Sequence, residues 1–219
     1  MKKVFIVGGS GKVARHLAQK LHARGHTPLS LHRHAEQANE LKKLGSTPVS
    51  GDLLKLNVSE LARMMAGSDV VVFSAGAGGK GGPEMTNAID GRGLELAVAA
   101  AQTAGIERFL LVSAFPEASR GKKVSETFEN YMAVKKRADV HLAESDLNWV
   151  ILRPGLLLDS PGTGKVRAGL AIPYGDIARE DVAAVLVEIV EHPEPSRIII
   201  ELTQGDTLVG DAIRQLACV

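Results

Sequence analysis

The chain has one cysteine, Cys218, in 219 residues. A disulfide within the chain is therefore excluded, and a reducing cytoplasm is the expected setting. Cys218 sits beside the C-terminus, where a bystander thiol is the plain expectation. No apolar run comes near the roughly 18 residues that a membrane-spanning helix needs, so no membrane partner is expected. The opening Met1-Lys2-Lys3 and its four following apolar residues make too short a run for a signal peptide, and glycine breaks it at once. Net charge is nearly absent. The 26 Lys and Arg against 25 Asp and Glu leave +1, which offers no electrostatic footprint for nucleic acid. Internal repeats, low-complexity tracts and linkers are missing too, so one domain over residues 1–219 is expected. Hydrophobic residues at 45% and charged residues at 23% are ordinary for a globular chain.

What is present is concentrated near the start. Val4 to Val7 read as a buried strand, followed at once by Gly8, Gly9, Ser10 and Gly11. Val13, Leu17 and Leu21 then fall on one face of a helix. Strand, glycine turn and helix form the opening of a dinucleotide-binding unit. A pyrophosphate needs the free N–H groups and positive dipole end of a helix, and side chains would block its approach. The spacing is Gly8-x-x-Gly11-x-x-Ala14, with Ala14 where helix and strand pack closely. A tight turn in an α/β protein that binds nothing would carry the same glycines, so context must support the motif.

Strand and helix patterns alternate along the rest of the chain. Strands are predicted at 4–7, 27–31, 47–50, 70–73, 108–112, 149–152 and 197–202. Helices are predicted from 12 to about 25 and at 35–44, 57–66, 85–104, 125–144, 180–191 and 208–216. Asn57 and Glu60 stand at capping-box spacing. The stretch 76–83 holds five glycines and reads as a flexible loop. The stretch 156–177, rich in proline and glycine, reads as irregular and as a small substrate lobe. The alternation predicts an α/β fold, a doubly wound parallel sheet in a three-layer α/β/α arrangement.

One further absence is informative. The second strand ends Leu31-His32-Arg33-His34, without the acid that would hold a ribose 2′-OH. Arg33 can instead pair with a 2′-phosphate, which favours NADP over NAD by about 10- to 100-fold. A solvated surface arginine is the bland alternative. His34 stands beside the same phosphate position. His32 and His34 lack a third ligand, so no metal is expected. Asp52, after the third strand, can accept from an adenine amino group or simply serve a turn. Ser74, Ala75 and Gly76 are small enough to admit a ribose or pyrophosphate at the end of the fourth strand.

Chemistry is expected farther on. Ser113 ends the fifth strand and can polarise a substrate oxygen. Tyr131 and Lys135 share a helix face that continues through Ala138 and Leu142. A neighbouring ammonium is expected to lower the Tyr131 phenol from about 10 toward neutrality, making an acid/base pair. The same spacing also arises by chance, and Tyr131 can simply begin a buried stripe.

The order of the blocks VGGSGKVA, LHRH, GDL, FSAGAG, NAIDGRGLELAVAAAQTAGIERFLLVSA, YMAVKKRAD and NWVILRPGLL resembles the short-chain dehydrogenase/reductase superfamily. The similarity is to its atypical branch of single-domain NAD(P)-binding proteins with NmrA-like and epimerase-like relatives, and it spans nearly the whole chain. The resemblance implies a Rossmann-type fold and an NADP cofactor. It implies that Gly8, Ser10, Gly11, Lys12 and Val13 hold the pyrophosphate, with Gly9 in the same turn. It places Arg33 on the 2′-phosphate, Asp52 and Leu53 on the adenine, and Ser74, Ala75 and Gly76 on the adenosine ribose side. Pro154, Gly155 and Leu156 would lie near the nicotinamide, and Lys135 on its ribose. Asp90 takes the place of the Asn that completes the proton relay in active members. The implied activity is NADP(H)-dependent reduction or oxidation of a small carbonyl-like substrate. A non-catalytic NADP(H) sensor and, less well supported, a sugar-nucleotide epimerase or dehydratase are the alternatives. A homodimer is compatible with the chain, though no pattern requires one.

Overall fold

A computed structural model of the chain describes residues 1–119 and 121–216. Cys218 lies outside the described residues. The first strand, β1 (Lys3–Val7), leads through the glycine turn into α1 (Lys12–Ala23). Next come β2 (Thr27–His32), α2 (Gln37–Lys43), β3 (Thr47–Ser50), α3 (Val58–Met65) and β4 (Val70–Phe73). The Asn57 side chain accepts from the Glu60 N–H and Glu60 returns the bond, so α3 starts on the predicted capping box.

The predicted helix at 85–104 begins earlier and is not uniform. It comprises α4 (Gly82–Thr86), a π-helical turn at Asn87–Arg92 and α5 (Gly93–Thr103). The glycine-rich loop therefore closes at Gly81, because Pro83 stands in the first turn of α4, where its missing N–H costs nothing. The chain continues with β5 (Arg108–Val112), α6 (Glu126–Ala143) capped by Ser125, and β6 (Asn148–Pro154).

The segment 156–177 is not irregular. It contributes β7 (Leu156–Leu158), β8 (Lys165–Gly169) and most of β9 (Asp176–Ala178). The last elements are α7 (Arg179–Glu191), β10 (Ile198–Gln204), β11 (Thr207–Leu208) and α8 (Val209–Leu216). Among the described residues nine strands form one sheet in the order β11-β8-β10-β6-β5-β4-β1-β2-β3. The run from β10 to β3 is parallel, while β8 and β11 add an antiparallel edge. β7 and β9 form a separate parallel pair.

Both faces of the sheet are buried. Ile6, Val72, Leu110 and Ile200 face one core with Leu17 and Leu21 of α1, Leu186 of α7 and Ile213 of α8. Phe5, Phe73, Phe109 and Ile151 face the other, against Leu61 of α3, Ala97 and Ala101 of α5, and Leu142 of α6. This is the Rossmann-type three-layer arrangement. Strand order reverses between β1 and β4, and a crevice opens beyond their carboxyl ends. Among the described residues no helix is long and apolar enough to cross a membrane.

Candidate functional site

The crevice at the reversal point has two adjoining parts. One, of about 460 Å³, is lined by Gly8, Ser10, Gly11, Arg33, His34, Asp52, Leu53 and Ser74 to Gly76, among others. The other, of about 810 Å³, shares Gly11 and Ser74 to Gly76 and adds Lys12, Val13, Asp90, Ser113, Tyr131 and Lys135. Most of the residues singled out from the sequence thus meet along one groove. Gly9 lies behind it and donates its N–H to Leu31 O at 2.9 Å. Pro154 ends β6, and Leu156 is exposed; Leu157 is the neighbour that reaches the groove wall. At Gly155 a side chain would collide with Gly175 O, so that glycine serves the close passage of two backbones.

The glycine turn is fitted to an anionic occupant. Gly8 has φ +82°, and a Cβ there would lie 2.5 Å from Ala75 Cα. Gly11 caps α1 without any side-chain hydrogen bond, so the first turn of the helix faces the groove with its N–H groups. Ser10 Oγ is buried and has no partner among the described residues. A buried hydroxyl left unsatisfied costs free energy unless a ligand or water completes it. These features fit a dinucleotide pyrophosphate held by Ser10, Gly11, Lys12 and Val13.

At the outer end Arg33 is exposed, and its Nε donates to His34 Nε2 at 2.9 Å. His34 is steadied in turn by Gln37, whose Oε1 accepts from the His34 N–H. Asp52 accepts from the Leu54 N–H at 3.1 Å, an Asx turn that leaves its second oxygen available. Among the described residues no group of three His, Cys, Asp or Glu is placed to hold a metal.

The inner end is built from buried ionisable groups. Lys135 is 4% exposed; its Nζ donates to Val112 O at 2.9 Å and lies 3.8 Å from Asp90 Oδ1. Asp90 is buried in the wall of the groove. It is 3% exposed within the π-helical turn, and its Oδ2 accepts from the Ala77 N–H at 2.9 Å. Burial pushes the Asp90 carboxyl up, against the opposing pull of Lys135 and Ala77. Burial likewise pushes Lys135 down, opposed by Asp90 and Asp139.

Tyr131 behaves opposite to the expectation. Its phenol is pushed up to about 12, first by burial and then by the negative charges of Asp90 and Asp139. The lowering expected from Lys135 does not prevail against burial and the two carboxylates. Tyr131 packs on Phe128 with ring centroids 6.2 Å apart, and its hydroxyl makes no hydrogen bond among the described residues. Ser113 is also arranged differently from a simple oxygen-polarising hydroxyl. It is buried, and its one proton goes to Asp139 Oδ1 at 2.5 Å. Asp139 is held in turn by Arg153, whose Nε and Nη2 lie 2.9 Å from Oδ2. Sequence reasoning missed Asp139 and Arg153. The signal for Asp139 was an acid four residues after Lys135, inside the stripe that carries Ala138 and Leu142 to the core.

The chain matches the NAD(P)H-binding family over residues 8–193. It is 33% identical over 215 residues to YhfK of Bacillus subtilis, named an uncharacterized sugar epimerase, covering 98% of this chain and 100% of that protein. A solved structure from Bacillus halodurans, provisionally named an NAD-dependent epimerase/dehydratase, superposes with a TM-score of 0.90 at 32% identity, covering 99% of this chain and 100% of the other. The oxidoreductase ylbE of Lactococcus lactis superposes with a TM-score of 0.86 at 25% identity, covering 99% and 97%. With its glycine cradle, its reversal-point groove, and Tyr131 and buried Lys135 in that groove, the chain belongs to the NAD(P)H-binding family, within the atypical short-chain dehydrogenase/reductases.

Proposed function

We propose that this protein is an NADPH-dependent reductase of the cytoplasm acting on a small, largely apolar carbonyl compound. The observation that carries the reading is the placement of Tyr131, Lys135 and Ser113 on the wall of the groove that the glycine turn opens, and the state of Tyr131 agrees with it. A phenol pushed up to about 12 is a proton donor at neutral pH and a poor base. Reduction of a carbonyl begins with a protonated donor at that position. Epimerase and dehydratase chemistry begins with the phenolate, which burial and two carboxylates here disfavour. The Arg33 guanidinium at the ribose end supports the 2′-phosphate form of the cofactor, and His34 supports Arg33.

The bound cofactor would supply the hydride. Tyr131 gives its proton to the substrate oxygen as negative charge develops there, and the phenolate recovers a proton from solvent. Lys135, fixed between Val112 O and Asp90, offsets that transient phenolate without moving. Asp90 also ties the end of the fourth-strand loop to the helix through Ala77, which keeps the groove wall in place. Ser113 lines the same part of the groove, within reach of the same occupant.

Replacing Tyr131 with Phe should cut turnover by about 10²- to 10⁴-fold, the usual contribution of a positioned acid, with NADPH affinity unchanged. Stopped-flow loss of NADPH absorbance and calorimetric titration read the two quantities separately; full activity in the variant rejects the assignment. The pH profile is a second check. An acid whose pKa is raised keeps its proton until the pH approaches that value, so the reduction rate should show no Tyr131-dependent decline up to about pH 10. A second reading, a non-catalytic NADP(H)-binding regulator, draws support from the engagement of the Ser113 proton by Asp139. It predicts unequal affinities for NADPH and NADP+ and no turnover of any carbonyl by the unmodified protein.

A further inference from the structure

The Ser113 hydroxyl has one proton and two lone pairs. The proton points away from the groove wall it lines, toward Asp139 Oδ1. Asp139 is 4% exposed and paired with the Arg153 guanidinium, and a carboxylate so paired only accepts hydrogen bonds. The direction of the Ser113 proton is therefore set from behind, by guanidinium, then carboxylate, then hydroxyl. The backbone is held as well, since the Ser113 N–H donates to Leu152 O at 2.7 Å. What remains for an occupant of the groove is a pair of oxygen lone pairs.

We infer that Ser113 is a hydrogen-bond acceptor toward the substrate, set by Asp139 and Arg153 as positioning residues, and that the site takes a carbonyl compound bearing an O–H or N–H donor beside the reacting carbonyl. The inference rests on the reductase reading of the same groove. Tyr131 and Ser113 then have opposite polarity. Tyr131 donates to the carbonyl oxygen, and Ser113 accepts from the neighbouring donor. A hydroxyketone matches both groups, whereas a ketone without the donor leaves the buried Ser113 oxygen unsatisfied.

The test uses the α-hydroxyketone PhCOCH2OH and its methyl ether PhCOCH2OCH3 with the NADPH-saturated protein. Calorimetric dissociation constants and kcat/KM are measured for both. The hydroxyketone should be preferred by about tenfold in each, the value of one hydrogen bond. In Asp139→Asn the amide oxygen stays with Arg153 and the amide N–H2 turns to Ser113, which sends the serine proton into the groove. The preference should then level or reverse, an outcome that a purely structural Asp139 would not give. Ser113→Ala should abolish the preference and serves if Asp139→Asn does not fold. Equal binding of the two ketones by the unmodified protein, failure of both to bind, or a preference unchanged in both variants would overturn the inference. Binding with the expected preference but no turnover would instead remove the reductase reading and leave Ser113 as an acceptor.

Discussion

The two parts of the groove are made of different materials. The outer part has a floor of backbone and small side chains, Gly8, Gly11, Ser74, Ala75 and Gly76, with Leu31, Leu53, Met85 and Ile89 around it and Arg33, His34 and Asp52 for its polar contacts. The inner part is lined by Asp90, Ser113, Tyr131 and Lys135, backed by Asp139 and Arg153. The first kind of wall works by leaving room, and the room is defined by steric limits on a few residues. The second works by the balance of charges in a medium that screens them weakly, so each group's state depends on all the others. The lesson is that the occupant of the outer part can be read from local sequence, while the chemistry of the inner part cannot.

Three substitutions would break or sharpen that contrast. Gly8→Ala strikes the outer part where it has no tolerance, combining a positive φ with a Cβ 2.5 Å from Ala75 Cα. Strain plus overpacking of this sort costs about 3 kcal/mol, which for a domain of this size lowers Tm by about 6–12 °C. Calorimetric melting should show that loss together with loss of cofactor binding; an unaltered Tm would mean the turn relaxes freely. Arg33→Ala should leave folding intact and cost about 10- to 100-fold in NADPH affinity with NADH affinity unchanged. Titration with both cofactors decides it, and equal losses for both would remove Arg33 from the 2′-phosphate.

The smallest effect belongs outside the groove. Glu180 is held below the usual carboxylate range by the Gly162 N–H and by Lys20. Because its folded value is lowered, its contribution is present above the unfolded carboxylate range and fades as pH falls through the folded value. The pair is about a third exposed, so Glu180→Gln should cost about 0.5 kcal/mol at neutral pH and nothing in strong acid. Melting curves at the two pH values test this; an equal cost at both would point to packing instead of charge.

The same division explains what could be read from the chain. Strands at 70–73 and 108–112 coincide with β4 and β5, because each is a short, mostly apolar run bounded by turn residues and buried by the parallel sheet, while 47–50 coincides with β3, a half-exposed strand at the sheet edge. Lys165–Gly169 carries only one buried apolar side chain, Val166, and owes its strand form to antiparallel pairing with β10, more than thirty residues later. No local pattern announces such a partner. The π-helical turn was equally hidden, since it differs from α-helix by one residue of register. The site residues fall the same way. The glycine turn was legible because strand and helix flank it directly. The raised Tyr131 was not, because Asp90 and Asp139 act on it from two helices at once.

That π-helical turn has a consequence for how the long helix can be altered. A wide turn holds one residue more than an α-helix would over the same rise, so the elements on either side are out of phase by about 100°. Upstream of it, α4 packs beside α6 at the groove; downstream, Leu94, Ala97 and Ala101 face the apolar core. The surplus residue works as a phase adjuster between two surfaces with unrelated demands. Homologues or designed variants that lose one residue between 87 and 92 would keep a good helix and a good core while turning the carboxylate of Asp90 out of line with Lys135, so gaps in an alignment at this point mark a change of chemistry rather than a trimmed loop.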